Sequence, residues 1–186
     1  MATAAQPTAT TTWNIEPTHT LVEFSAKHMM ITTVKGRFRE VSGVINVDEQ
    51  NPDRSTVEAS MNASTIDTGV AQRDQHLASA DFLDAATHSA ITFKSKKVQG
   101  ARASAGDEFT VVGDLTIRGT TREVTLKAAY EGRGKDPWGG ERISFTATAK
   151  IDRREFGLTW NQALETGGIL VSNDIKIHLE IQAVRA

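Results

Sequence analysis

Long segments of this chain carry an apolar residue at every second position. The two clearest sets are Ile143, Phe145, Ala147, Ala149 and Ile151, and then Ile175, Ile177, Leu179 and Ile181, each alternating with polar residues. Alternate side chains of a β-strand point to opposite faces, so this period predicts strands with one buried face and one solvated face. Shorter stretches of the same pattern occur at 22–26, 109–117 and 124–130.

These strands predict an all-β fold, an antiparallel barrel that is closed or nearly closed. The chain offers little helix to cover the apolar faces, and wrapping the sheet on itself buries them and removes exposed edges. We expect strands over about 20–29, 36–47, 55–63, 90–98, 108–118, 122–131, 141–152 and 173–184, the second interrupted at Gly36 and Gly43. A change of period predicts a short helix near 71–79, at the rim of the barrel.

Length and composition favour one domain and limit the classes of partner and chemistry that it can have. The chain has 186 residues, with 21 Lys and Arg, 23 Asp and Glu, and a formal net charge of -2. The charges are dispersed and form no basic stripe, so we expect no nucleic-acid partner. The sequence contains no cysteine, which excludes disulfides, thiolate catalysis and cysteine metal sites.

The N-terminal segment 1–12 is rich in Ala and Thr. It has neither the basic start nor the apolar core of a signal peptide, so we predict a disordered tail there and an ordered domain over 13–186. Since no run approaches the roughly 18 apolar residues of a transmembrane helix, we expect no stable membrane insertion. The expected location is cytoplasmic, or periplasmic if a leader has been removed.

Residues on the inward faces of the strands are the candidate ligand-binding positions. They mix large and small side chains: Val22, Phe24, Ala26, His28, Phe93, Val111, Leu115, Leu126, Phe145, Ala147, Ala149, Ile177 and Leu179. The small residues indicate an unfilled lumen, although small residues also fit the taper of a solid barrel core, and the pattern leaves both open. A dry lumen favours an apolar ligand, because a polar ligand would lose its hydration there without regaining hydrogen bonds.

Several short strings share an order and a spacing with one known family. They are Trp13–His19, Val22–His28, Val34–Phe38, Arg73–Leu77, Asp81–Asp84, Ile91–Ser95, Gly113–Thr120 and Arg153–Gly157. Together they resemble the YceI-like family of polyisoprenoid-binding proteins over about Trp13–Ala183. The segment Ala85–Ser89 departs from the pattern, because many relatives carry a proline there.

The resemblance implies both a fold and a ligand. It makes 13–186 a YceI-like lipid-binding domain, an extended lipocalin-like barrel with an internal apolar pore. The implied ligand is a polyisoprenoid lipid, a polyprenyl quinone or polyprenol derivative, with no other cofactor. A homodimer is left open.

Two polar groups could meet the head group of such a lipid. His28 continues the inward face of its strand and could lie at a pore end, or its ring could simply be satisfied by neighbouring groups. Arg153, Arg154 and Glu155 follow a strand end, where they could form a rim for an anionic head group or a solvated turn.

Arg73, Asp74 and His76 of the predicted helix invite an acid–base interpretation. On a helix they point in different directions, and Arg73 could instead pin the helix to the rim through Asp81 or Asp84. The five histidines show no metal-ligand spacing, so no metal is expected.

Two functions therefore remain. The first is non-catalytic binding, storage or transport of the lipid. The alternative is an enzyme acting on an isoprenoid or another small apolar substrate, with His28 or the residues of the predicted helix as catalytic groups.

Overall fold

The structure, a computed structural model, describes residues 9–186. Most of the predicted disordered tail lies outside this range. Thr10–Thr12, however, belong to the first strand, where Thr12 pairs with Asn46. The prediction of disorder is therefore wrong for Thr10–Thr12. Backbone pairing with the strand that contains Asn46 orders this polar segment.

Strands account for most of the described chain. They are β1 (Thr10–Ile15), β2 (Leu21–His28), β3 (Thr32–Phe38), β4 (Val41–Asp48), β5 (Thr56–Asn62), β6 (Ile66–Asp67), β7 (Ala90–Gln99), β8 (Glu108–Ile117), β9 (Thr120–Lys135), β10 (Glu141–Asp152) and β11 (Asp174–Arg185). One α-helix, α1 (Ala71–Ala78), matches the predicted helix. The predicted strand over 36–47 is in fact two strands, β3 and β4, which are separated between Phe38 and Val41.

The sheet closes on itself. Eight strands follow one another in the ring β1-β4-β5-β7-β8-β9-β10-β11, and β11 pairs with β1 again, all antiparallel. β11 also pairs with β2 through Lys176–Glu180, so the sheet branches there into β2, β3 and β6. The closed antiparallel barrel with one short helix is confirmed.

The long alternating segments pair in the register that aligns their apolar faces. On β10 and β11, Phe145 lies opposite Ile181 and Ala147 lies opposite Leu179, while Thr146 lies opposite Glu180. A shift of one residue would exchange the inner and outer faces, so the burial of one face fixes this register.

Buried apolar residues form two clusters. The first joins β1, β4, β10 and β11, and comprises Trp13, Ile15, Val41, Ile45, Ile143 and Ala183. The second joins β5 to β10 with the segments that follow α1 and β10, and it includes Phe82, Phe93, Leu115, Phe156 and Leu158. Since loop residues contribute to the second cluster, the strands alone do not build the core.

Gly113 shows that a small inward residue need not indicate free space. A Cβ placed on Gly113 would lie 2.5 Å from Cζ of Phe93 and 2.6 Å from the backbone oxygen of Lys94. The Phe93 ring therefore occupies the volume that a side chain on Gly113 would need. At this position the small residue serves packing between β7 and β8, not an open lumen.

We expect Gly113→Ala to destabilise the barrel. The added methyl group overlaps a backbone atom, which cannot move as a side chain can, and overpacking of this kind costs about 1–3 kcal/mol. Gly134→Ala is the matched control, because a Cβ there meets no atom within 4 Å. Urea denaturation of both variants measures the difference. Equal stabilities would show that β7 and β8 adjust without cost.

Candidate ligand cavity

A cavity of about 370 Å³ runs inside the barrel. This volume lies within the range of roughly 300–1,000 Å³ that small-molecule sites occupy. Its walls are almost entirely aliphatic and phenyl groups. Eleven of the thirteen candidate positions line it: Val22, Phe24, Ala26, Phe93, Val111, Leu115, Leu126, Phe145, Ala147, Ile177 and Leu179. That these residues bind a ligand stays a prediction.

The other two candidate positions do not line the cavity. His28 is exposed at the end of β2, where its backbone makes an isolated bridge to Val171. The prediction that His28 lies at a pore end is wrong, because β2 runs past the start of its partner β11 at Asp174. Ala149 lies on β10 opposite Ile177, but it is not part of the lining.

One end of the cavity is closed by residues that the strand pattern does not contain. Phe82 and Leu83 follow α1, and Phe156 and Leu158 follow β10; all four are buried and line the cavity. The Phe82 ring lies 5.3 Å from the ring of Trp160, centroid to centroid. Sequence reasoning missed these residues because loops have no apolar period, although two adjacent large apolar residues after a short helix were a usable signal.

Arg153 is buried at this closed end. It is 4% exposed, and its Nε donates to the carbonyl of Ser172 at 2.9 Å while its Nη1 donates to the carbonyl of Leu158 at 2.7 Å. Its guanidinium lies 5.9 Å from the centre of the Phe82 ring. Burial lowers the pKa of Arg153, and the nearby Asp152 opposes that effect.

The expectation of a solvated turn is therefore wrong for Arg153, which is buried and lines the cavity, while its contact with a head group stays a prediction. Its hydrogen bonds tie the segment after β10 to the chain just before β11, and so hold the closing residues in place. Arg154 is exposed instead and bonds Asp152 through its Nη2 at 2.5 Å. These bonds from Arg154 hold the pKa of Asp152 down to about 2.

The opposite end of the cavity, which we call the mouth, is open and polar. Its lining includes the exposed residues Glu49, Arg102 and Arg133 and the half-buried Tyr130. The pairing of β9 with β8 ends at Ala129, whereas its pairing with β10 continues to Lys135. The C-terminal part of β9 thus extends beyond β8 and forms one wall of the mouth.

Arg133 joins several groups across the mouth. Its Nη1 lies 3.1 Å from Oε1 of Glu49, its Nη2 lies 3.1 Å from Oε2 of Glu141, and its guanidinium lies 4.8 Å from the centre of the Trp13 ring. Glu141 also pairs with Arg185. The Arg133 cation is therefore already matched by two carboxylates, and it offers little net positive charge to an anionic ligand.

Tyr130 places a hydroxyl at the junction between the apolar lumen and the mouth. Its ring packs against Phe145 at a centroid distance of 5.6 Å. Within residues 9–186 the hydroxyl has no hydrogen-bond partner in the protein. Burial raises the pKa of Tyr130, while Arg133 acts in the opposite direction. The group is therefore a neutral phenol that can donate a hydrogen bond to a ligand.

The polar residues of α1 do not face the cavity. Asp74 accepts bonds from the backbone N–H and the hydroxyl of Thr68 at 2.8 and 2.6 Å, and Arg73 donates from Nε to the Thr68 hydroxyl at 2.7 Å. The predicted contact of Arg73 with Asp81 or Asp84 is wrong, because Arg73 anchors α1 to the chain before it. His76 pairs instead with Asp81, with 2.8 Å between Nε2 and Oδ2.

Across residues 9–186, no group of three or more His, Asp or Glu side chains is arranged to hold a metal ion. In the same range no helix has both the length and the apolar character needed to cross a membrane.

We expect Arg153→Ala to destabilise the closed end strongly. The change leaves buried carbonyls without donors, at about 1–3 kcal/mol for each unsatisfied group, so the free energy of unfolding should fall by at least about 2 kcal/mol. Arg154→Ala is the neighbouring control, since it removes an exposed ion pair that contributes less than about 1 kcal/mol. Chemical denaturation compares the two. Similar losses in both variants would refute the structural role of Arg153.

Known proteins are similar to this chain in sequence and in fold. The family model for the YceI-like domain matches residues 13–183. Protein YceI of Escherichia coli is 40% identical over 143 residues, which cover 77% of this chain and 73% of the relative. The crystal structure of a Campylobacter jejuni YceI protein superposes with a TM-score of 0.72 at 28% identity, and the match covers 86% of this chain and 90% of that one.

A more distant structure shares the fold alone. It is a polyisoprenoid binding domain from Saccharophagus degradans, implicated in plant cell wall breakdown, with a TM-score of 0.70 at 13% identity. The match covers 94% of this chain and 98% of that domain. Because the family model spans nearly all of the described residues and a relative at 40% identity covers most of the chain, the resemblance is confirmed: this chain belongs to the YceI-like family.

Proposed function

We propose that this protein is a non-catalytic carrier that binds, stores or transports a polyisoprenoid lipid in the barrel cavity. The observation that carries the proposal is an apolar cavity with one closed end and one polar mouth. Such a site fits a molecule with a long apolar tail and one polar end. The Saccharophagus degradans domain of the same fold, which is described as polyisoprenoid binding, supports this choice of ligand.

An isoprenoid tail gains stability from the lumen by leaving water. Each buried methylene contributes about 0.8 kcal/mol, so one five-carbon unit contributes a few kcal/mol before the costs of association are subtracted. Phe24, Phe93 and Phe145 supply flat apolar walls, and Ala128 and Ala147 leave width between them. We place the end of the tail against Phe82 and its neighbours at the closed end.

The head group would then lie at the mouth. Arg133 is already paired with Glu49 and Glu141, so a diphosphate there would compete with two carboxylates for one cation. The Tyr130 hydroxyl can instead donate to an uncharged oxygen. Arg102 also lines the mouth and forms no ion pair within residues 9–186, so these groups suit the uncharged head group of a polyprenyl quinone or a polyprenol without selecting against a phosphate.

The enzyme alternative finds no support in the position of the candidate acid–base groups. Arg73 and Asp74 bond Thr68, and His76 bonds Asp81, at positions outside the cavity lining. A substrate in the lumen would therefore meet none of them. Native mass spectrometry separates the two functions, because a carrier returns the lipid unchanged after incubation.

We expect Ala147→Phe to abolish binding of a long-chain polyprenyl benzoquinone. Ala147 lines the cavity, so a phenyl ring there takes volume that the tail needs. Thr148→Phe is the control, because the neighbouring side chain is exposed on the outer face. Native mass spectrometry and fluorescence titration should show loss of the quinone complex in the first variant alone. Quinone binding by Ala147→Phe at the affinity of the unsubstituted protein would contradict the proposal.

We expect Tyr130→Phe to weaken binding of the same quinone by about 2–10-fold. One net hydrogen bond contributes about 0.5–1.5 kcal/mol, and a tenfold change corresponds to about 1.4 kcal/mol. An isoprenoid hydrocarbon without a head group is the control ligand, and its affinity should not change. If both ligands lose affinity equally, Tyr130 acts by packing and the head group lies elsewhere.

A further inference from the structure

The turn of the β9–β10 hairpin carries a highly exposed tryptophan. Trp138 is 87% exposed, the highest value among the large apolar residues that the structure exposes, and it lies in the turn between Lys135 and Glu141. An indole exposed to this extent retains almost all of its apolar surface in water. Single exposed apolar residues are common on protein surfaces, so the exposure of Trp138 acquires meaning only from its position in the fold.

The turn that carries Trp138 is rigidly hydrogen-bonded. Oδ1 of Asp136 accepts from the backbone N–H of Trp138 at 3.0 Å and of Gly140 at 2.8 Å, and its Oδ2 accepts from Nε of Arg142 at 2.9 Å. These bonds, led by the one from Gly140, hold the pKa of Asp136 below its usual value. These bonds fix the backbone at Trp138, so the turn loses little backbone entropy when the exposed indole binds.

The hairpin also forms part of the mouth. Tyr130 and Arg133 lie on the same strand as the turn, a few residues before it, and both line the open end of the cavity. Trp138 thus stands on the extension of the wall that borders the opening. Any surface that receives the indole is brought next to the mouth.

We propose that the β9–β10 hairpin docks the mouth of the barrel onto the interfacial region of a lipid bilayer, with Trp138 as the inserted residue. This inference rests on the proposed function, because a lipid carrier must meet a membrane to exchange its cargo. Tryptophan is enriched at membrane–water interfaces, where its ring spans the boundary between apolar and hydrated groups. One inserted side chain gives shallow, reversible binding, as exchange requires.

The cation of the hairpin that could meet a bilayer surface is Lys135. Over 131–142 the three basic residues, Arg133, Lys135 and Arg142, balance the three acidic ones, Glu131, Asp136 and Glu141, and both arginines are already ion-paired. Within residues 9–186 the ammonium group of Lys135 forms no ion pair. Lys135 is therefore free to contact lipid phosphates beside the inserted indole.

A second exposed apolar group provides an internal comparison. Met29, Met30 and Ile31 occupy the β2–β3 turn, with Ile31 76% exposed. The β2–β3 turn lies next to the start of β11. Because β10 and β11 are antiparallel, the start of β11 lies beside the end of β10, whereas the β9–β10 turn precedes the start of β10. The two turns are therefore at opposite ends of the barrel, and docking through Met29–Ile31 would turn the mouth away from the bilayer.

Vesicle binding by the cargo-free full chain tests the proposal. We expect the unsubstituted protein to bind phosphatidylcholine vesicles, more strongly when they contain phosphatidylserine, and Trp138→Ser to reduce the partition coefficient about tenfold or more. Ile31→Ser, which removes an exposed apolar side chain at the other end, should bind as the unsubstituted protein does. Cosedimentation measures all three.

A second measurement separates this inference from the proposed function. In detergent solution Trp138→Ser should bind the polyprenyl benzoquinone with unchanged affinity, while its rate of quinone transfer between vesicles falls. No vesicle binding by the unsubstituted protein, unchanged vesicle binding in Trp138→Ser, or loss of binding in Ile31→Ser would each overturn the docking proposal. If Trp138→Ser alone loses vesicle binding but neither the unsubstituted protein nor any variant binds quinone, the carrier function is refuted instead.

Discussion

Closure of the barrel depends on the pairing of the first strand with the last. β1 pairs with β11 through Trp13, Asn14 and Ile15, and with β4 on its other side. Trp13 and Ala183 are both completely buried at this seam, where the small alanine leaves room beside the indole. Without this seam the sheet would have two open edges and its apolar inner face would be in contact with water.

The two ends of the barrel differ in whether loop residues cover the cavity. Loop residues after α1 and β10 close one end, and Arg153 holds them through backbone carbonyls. At the other end β9 and β10 extend past β8, and polar side chains border an opening. A tube with one dry end and one wet end imposes an orientation on any amphipathic ligand, since only one end can hydrate a head group.

Charge pairing within the protein occupies one of the cations at the mouth. Arg133 stacks on Trp13 and bonds two carboxylates, so a cation beside the cavity is neutralised by the protein itself. Within residues 9–186, the Tyr130 phenol and the Arg102 guanidinium are the donors of the mouth that no carboxylate occupies. The same strand carries the mouth and continues to the Trp138 turn, so ligand orientation and the approach to a membrane would depend on one hairpin.

Local alternation of apolar and polar residues predicts the strands and most of the residues that line the cavity, because a half-buried strand must show this alternation. It predicted α1, the closed barrel and positions such as Phe145 and Ala147. Where the periodic faces end depends on how the strands pair, which local alternation does not specify. His28 continues an inward pattern, yet its strand runs past the barrel into solvent, whereas Arg153 has a polar side chain and is buried.

The closed end and the mouth likewise came from contacts between residues distant in the sequence. Phe82 and Phe156 close the lumen from segments without periodicity, and Gly113 is small because the ring of Phe93 fills its place. Arg133 reaches Glu49 across a sequence separation of 84 residues. Local patterns cannot specify such contacts, because they form only after the sheet has closed and brought its strand ends together.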